Sequence, residues 1–328
     1  MYCLLVQVFI HGITGQDGYY LTKKLLNLDI EVSGSTRTLN SPKSNVFVRQ
    51  FPNVKIYPIN FSNSEDVNSL MEEIHFDIFV NLAGPSSVKE SFENPSFTFK
   101  SIIQPLKNIL SFASQRNKLD FHFIHASTSE IYGGLNQTLI TEDQEIYPLN
   151  PYAIAKAAAS KLLKETEQHS SLKVSNLIMF NHESPLREEK YISQKIVRGM
   201  VQIKIGNADK LQVGKLDQLR DWSFAGDFMD AVVSIIQKEG FGEYILASGE
   251  LHAIYEIAQI SHKYLNISKD LSDILSFDSQ EVRIVEPGAI SGNSSKARSQ
   301  LNWNSQINFE ELVIMLVDSE LNRIRFKD

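Results

Sequence analysis

Val8-Phe9-Ile10-His11-Gly12-Ile13-Thr14-Gly15-Gln16-Asp17-Gly18 is an apolar run that breaks into three regularly spaced glycines. Residues 1–10 read as a buried first strand, and Tyr20, Leu21, Leu25, Leu26 and Leu28 then repeat at helical spacing. A strand, a glycine turn and a helix in this order open a dinucleotide-binding sheet. The turn lets backbone come close to a diphosphate, and the helix N-terminus attracts the anion. Gly12, Thr14, Gly15, Gln16, Asp17 and Gly18 are therefore the expected cofactor loop.

Outward from this loop, a second strand over residues 30–35 ends at Thr36-Arg37 with no carboxylate for an NAD ribose, whereas Arg37 offers a cation to a 2′-phosphate. This favours NADP. Residues 41–52 are polar and irregular and read as a loop. Strands follow over residues 55–59 and 78–82, with an amphipathic helix over 67–74 between them. Asn81-Leu82-Ala83-Gly84-Pro85-Ser86-Ser87 forms a small-residue loop at a strand's C-terminal end, which places Leu82, Ala83 and Ser86 where ligands of such sheets bind. A helix over 98–117 is expected to kink at Pro105. Strands over 121–125 and 174–180 complete the alternation. It predicts an α/β, doubly wound parallel Rossmann-type sheet with right-handed crossovers. Residues 1–181 would form this domain. Residues 182–328 would form a smaller mixed C-terminal substrate-binding region, from which part of 222–247 returns to the sheet.

The chemistry-bearing stretch runs from Ser127 to Lys156. Ser127-Thr128-Ser129-Glu130 closes the fifth strand, and Asn150-Pro151-Tyr152-Ala153-Ile154-Ala155-Lys156 opens a helix, with Asn150 as N-cap and Pro151 in the first turn. Tyr152 and Lys156, at i and i+4, share a helical face, where the ammonium is expected to favour a phenolate base. A hydroxyl at Thr128 and a carboxylate at Glu130 supply the rest of an acid/base set.

With 328 residues and 42% hydrophobic content the chain can bury a sizeable core. A net charge of −7 without a long basic run argues against nucleic acid and anionic membrane surfaces as partners. The single cysteine, Cys3, excludes an intrachain disulfide framework and fits a reducing compartment, so cytoplasm is expected. In that compartment Asn136-Gln137-Thr138 carries no glycosylation meaning. No apolar run reaches membrane-spanning length. His182 has no partner at ligand spacing, so no metal is expected.

Together these strings resemble the GDP-mannose 4,6-dehydratases within the extended short-chain dehydrogenase/reductases, nearly end to end. The resemblance rests on the Gly12–Gly18 loop with its Gln16-Asp17 pair, on Ser127-Thr128-Ser129-Glu130-Ile131-Tyr132-Gly133, and on Tyr152 with Lys156. Asn181-His182-Glu183-Ser184-Pro185, the Lys215-to-Trp222 block and the Arg283-Ile284-Val285-Glu286 block extend it. It implies a 4,6-dehydratase acting on GDP-mannose, or a related GDP-hexose or heptose, with internal hydride transfer through bound NADP. Tyr152 would deprotonate the sugar 4-hydroxyl, Lys156 would hold the nicotinamide ribose, Thr128 would bond O4, and Glu130 would remove the C5 proton. His182 and Arg187 would lie against the cofactor, with Asn60 and Phe61 near its adenine. Ser86, Ser87, Asn181, Lys195, Arg220, Arg283 and Glu286 would hold the nucleotide sugar. The same resemblance implies a homodimer or a tetramer. His11, Asn60-Phe61, Ser87, Phe97 and residues 102–106 depart from the family's pattern, and the segment after Arg37 is shorter. The rival readings are a 4-epimerase or 4-ketoreductase that needs only Tyr152 and Lys156, and a non-catalytic NADP-binding protein.

Overall fold

The structure, a computed structural model, describes residues 6–115, 121–135, 137–282 and 284–325. Cys3, Asn136, Arg283 and the expected helix end at Asn117 lie outside them. Among the described residues seven parallel strands make the main sheet. In spatial order they are Gly242–Leu246, Lys173–Met179, His122–Ala126, Ile78–Asn81, Gln7–His11, Glu31–Thr36 and Lys55–Pro58. Chain order reverses on either side of Gln7–His11, so the C-terminal ends of this strand and its neighbour Ile78–Asn81 flank the crevice where such sheets take ligands.

Alternation along each strand sends side chains to two faces. Val8 and Ile10 enter one core with Ile78, Val80 and Ile124, beneath the helices Gln16–Leu26 and Ala225–Lys238. Phe9, Phe79 and Phe123 enter the other, beneath Pro95–Gln115 and Pro151–Gln168. Both faces are covered, which is why these strands read as nearly unbroken apolar runs.

Two expectations are corrected. Residues 41–52 are not a loop, because Pro42–Gln50 is a helix whose Ser41 cap accepts the Ser44 amide at 3.1 Å. Only Ser44 and Phe47 of this helix are buried while Val46 and Val48 are exposed, so its apolar residues show no helical periodicity. The helix carrying Pro105 starts at Pro95, earlier than the expected 98, and its helical pattern continues past the buried Pro105 to Gln115.

Beyond Met179 a third core joins the helices Ile192–Lys204, Ile254–Leu265 and Phe309–Arg325. A three-stranded sheet, Leu251–Ala253, Leu219–Phe224 and Asn181–Glu183, lies between this core and the main sheet and pairs Trp222 with Asn181. Asp221 fastens it: its buried carboxylate accepts the amides of Ser248, Gly249 and Gly292 at 2.9, 2.9 and 3.1 Å. No helix among the described residues is long and apolar enough to cross a membrane.

Candidate active site

The glycine loop follows Gln7–His11, where Gly12 takes φ +88° and a Cβ would meet the Ala83 amide nitrogen at 2.9 Å. Gly18 lies so close to the preceding turn that a Cβ would stand 2.3 Å from the Ile13 carbonyl oxygen. Gln16 and Asp17 turn toward the Asn181–Glu183 strand. Gln16 donates to the His182 carbonyl at 3.2 Å and accepts the Ser184 hydroxyl at 2.7 Å.

His182 Nδ1 faces the Phe180 carbonyl at 2.8 Å and must donate there, while Nε2 faces the Asp17 carboxylate at 3.2 Å. Both ring nitrogens confront acceptors, so the imidazolium is the favoured form. Burial opposes this charge most, but Asp17 outweighs it and raises the His182 pKa above 6.5. Burial likewise pushes the Asp17 carboxyl upward, yet His182 and Arg187 hold it below 3.8.

At the end of His122–Ala126 the chain tightens into a short 3-10 turn, Ser129–Tyr132, capped by Thr128, whose hydroxyl accepts the Glu130 amide at 3.3 Å. Helix Pro151–Gln168 starts beside it. Asn150 Oδ1 accepts the Ala153 amide at 2.8 Å, and Nδ2 donates to Glu130 Oε2 at 2.9 Å. The Tyr152 phenol stands near the Thr128 hydroxyl, which lowers its pKa, and the Glu130 charge, which raises it. Thr128, Glu130 and Tyr152 therefore come together.

Tyr152 also brings a correction. Its phenol is raised above 10, chiefly by burial and next by the Glu130 charge, while Thr128 and Arg187 pull it down. The expected influence of Lys156 is outweighed, because the ammonium is turned to the Ala126 carbonyl at 2.7 Å and is itself depressed by burial to about 8. The two groups share a helical face, but the protein alone leaves Tyr152 a neutral phenol near neutral pH.

The remaining candidates separate. Thr14 bonds Thr36 at 3.0 Å, and Arg37 follows that strand, exposed. Asn60 is exposed and occupied with the Ser62 amide, whereas the Phe61 ring turns into the core 4.0 Å from His11. Leu82 and Ala83 line the strand end beneath Gly12. Ser86 bonds the Tyr191 hydroxyl at 2.7 Å, and Ser87 caps Val88–Glu93. Arg187 pairs with Glu183 at 3.3 Å and lies 3.6 Å above the Tyr191 ring. Lys195 is half-buried on Ile192–Lys204. Glu130, Asn181 and Arg220 line one cleft with Pro287, Gly288 and Ile290, and Glu286 pairs with Arg220. Phe97 is 60% exposed. Among the described residues no cluster of three His, Cys, Asp or Glu side chains could hold a metal.

Sequence reasoning missed Tyr191, which marked only a change of pattern, and the amide of Asn150, visible only as a cap. No local signal announces either contact, since the partners are 105 and 20 residues away.

The chain matches the family described as GDP-mannose 4,6 dehydratase over residues 9–316. It is 34% identical over 324 residues to GDP-mannose 4,6 dehydratase 2 of Arabidopsis thaliana, covering 95% of this chain and 86% of that protein. A UDP-glucose 4-epimerase structure from Thermotoga maritima superposes with a TM-score of 0.85 at 17% identity, covering 97% of this chain and 100% of that one. RMD from Pseudomonas aeruginosa, complexed with NADPH, gives a TM-score of 0.79 at 20% identity, covering 97% and 99%.

Proposed function

Because the chain belongs to the GDP-mannose 4,6-dehydratase family, we propose that it converts GDP-mannose, or a closely related GDP-hexose or heptose, to the 4-keto-6-deoxy sugar using bound NADP. The observation that carries this reading is the hydrogen-bonded set of Thr128, Glu130 and Asn150 at the sheet edge, with the Tyr152 phenol beside it. A 4-epimerase or ketoreductase needs the phenol but not the carboxylate. A dehydratase needs both, because protons must move at O4 and at the adjacent C5.

The residues fit a nicotinamide dinucleotide. Gly12, Gly15 and Gly18 leave the loop without side chains at its closest approaches, and Gly15 would carry a Cβ 3.2 Å from the Gly12 carbonyl oxygen. Lys156 has three N–H donors, of which Ala126 takes one, so the buried ammonium suits ribose hydroxyls. Arg37 would meet a 2′-phosphate, and His182 with Arg187 would stand beside the cofactor. When bound, NADP supplies a hydride acceptor for C4, a hydride donor for C6 and a positive charge that favours the phenolate.

Tyr152 would take the O4 proton as C4 becomes a ketone, with Thr128 holding O4. The ketone acidifies the C5 proton, which Glu130 would remove and deliver to the C6 hydroxyl. The C6–O bond then breaks, water leaves and a C5=C6 double bond forms. Hydride arrives at C6 while the O4 proton held by Tyr152 is passed to C5, through Glu130, so the cofactor and both residues would end as they began. Arg220 and Lys195 would meet the diphosphate, with Asn181 and Glu286 positioned for the sugar and ribose.

The test is incubation with GDP-mannose and related sugar nucleotides, followed by mass spectrometry for loss of water. Glu130→Gln should still reduce the cofactor with substrate while dehydrating at least about 100-fold more slowly. A variant that dehydrates at the wild-type rate would remove Glu130 from the mechanism. Failure of the wild-type protein on every GDP-hexose would remove the reading itself.

A further inference from the structure

We infer that Asn150 is a positioning residue for Glu130, with one carboxamide serving two elements at once. This rests on the dehydratase reading above.

The argument begins with the backbone. Asn150 has extended φ and ψ of −140° and 161°, the N-cap conformation, and is 3% exposed. Its acceptor must face the Ala153 amide, since a backbone N–H can only donate, and this contact is 2.8 Å. The orientation of the carboxamide is thereby decided by the helix. The nitrogen is left pointing the other way, where it donates to Glu130 Oε2 at 2.9 Å.

Serine, threonine or aspartate would cap the helix about as well. None of them can cap and donate an amide N–H to a carboxylate at the same time. The pairing has two consequences for chemistry. It tethers the flexible Glu130 side chain to the helix that carries Tyr152. It also ties the spacing of acid and phenol to one rigid element, which multi-step proton transfer on adjacent carbons demands. The neighbouring Thr128 holds the Glu130 backbone and Asn150 holds its carboxylate, so backbone and side chain each have their own anchor.

Asn150→Ser separates the two duties, because serine retains the cap and loses the amide. In the holoenzyme with substrate, Asn150→Ser should keep its melting temperature within about 1 °C, keep KM within about threefold and lose about 10- to 100-fold in kcat. Reduced nicotinamide should accumulate during turnover, because C4 oxidation proceeds while C5 deprotonation lags. Exchange of solvent deuterium into C5 should slow in parallel, and a crystal structure of the variant should show the Glu130 carboxylate turned away from residue 150. Asn150→Ala should share this kinetic defect and add the thermal loss of a missing cap. Wild-type kcat and no accumulation in Asn150→Ser would overturn the inference while leaving the dehydratase reading intact. An equal loss of melting temperature and of kcat in both variants would reduce Asn150 to a cap and overturn it as well. Absence of any dehydration by the wild-type protein would instead overturn the parent reading, and this inference with it.

Discussion

Replacing Asp17 by Asn removes one charge from the pair that joins the glycine loop to the Asn181–Glu183 strand. The carboxylate and imidazole stand 3.2 Å apart with 19% and 17% of their side chains exposed. The signs decide where the pair matters. The His182 pKa is raised, so its contribution to stability is complete below 6.5 and is lost as pH rises through the folded value. The Asp17 pKa is lowered, so its contribution is present above 3.8 and is lost as pH falls through the folded value. The pair therefore stabilises most between pH 3.8 and 6.5. In Asp17→Asn the side-chain amide can donate to a neutral Nε2, while burial and Arg187 push the histidine to give up its proton. Its pKa should fall below 6.5. Removing one partner of a fully buried pair costs about 3–5 kcal/mol, and with this residual exposure about 2–3 kcal/mol is expected near pH 5.5. At about 2.1 cal/mol/K per residue for 328 residues, that is a drop of about 3–4 °C in melting temperature. At an alkaline pH above the folded His182 value the loss should shrink. Urea titrations at the two pH values, with NMR titration of His182, measure both. An equal loss at both pH values, or a histidine pKa that does not move, would refute an ionised pair.

Gly18→Ala sets a methyl group against the Ile13 carbonyl and should cost about 2–4 kcal/mol by chemical denaturation, with weaker cofactor binding. Arg37→Ala should raise the NADP dissociation constant about 10- to 100-fold by calorimetry and the NAD constant by less than about threefold; equal effects would remove the 2′-phosphate role. The Lys156 ammonium loses its proton near pH 8, so turnover should decline above about that pH, and Lys156→Met should lose at least about 100-fold and flatten this alkaline limb.

The sheet and its cofactor turn were legible because their causes are local. Strands covered on both faces must be apolar throughout, and the loop before Gly18 leaves no space for a Cβ, so both leave a mark in consecutive residues. Where burial was sparse the mark faded: the helix Pro42–Gln50 buries only Ser44 and Phe47 and passed for a loop, although Ser41-Pro42 is a sound helix start. Phe61 was expected beside the adenine because motif position says nothing of which way a ring turns, and the core beneath His11 claimed it.

The residue types of the site, a phenol and an ammonium one turn apart with a hydroxyl and a carboxylate nearby, were determined by sequence alone, because i to i+4 spacing is a property of the helix. Their ionisation was not. Spacing placed Lys156 to favour the Tyr152 phenolate, yet burial raised the phenol and drew the ammonium to the Ala126 carbonyl. Desolvation depends on everything packed around a group, and the contacts that hold Glu130 to Asn150 and Asp17 to His182 join residues 20 and 165 positions apart. Only the folded chain brings such groups within hydrogen-bonding distance, so only tertiary structure could decide which of them carry charge and where they point.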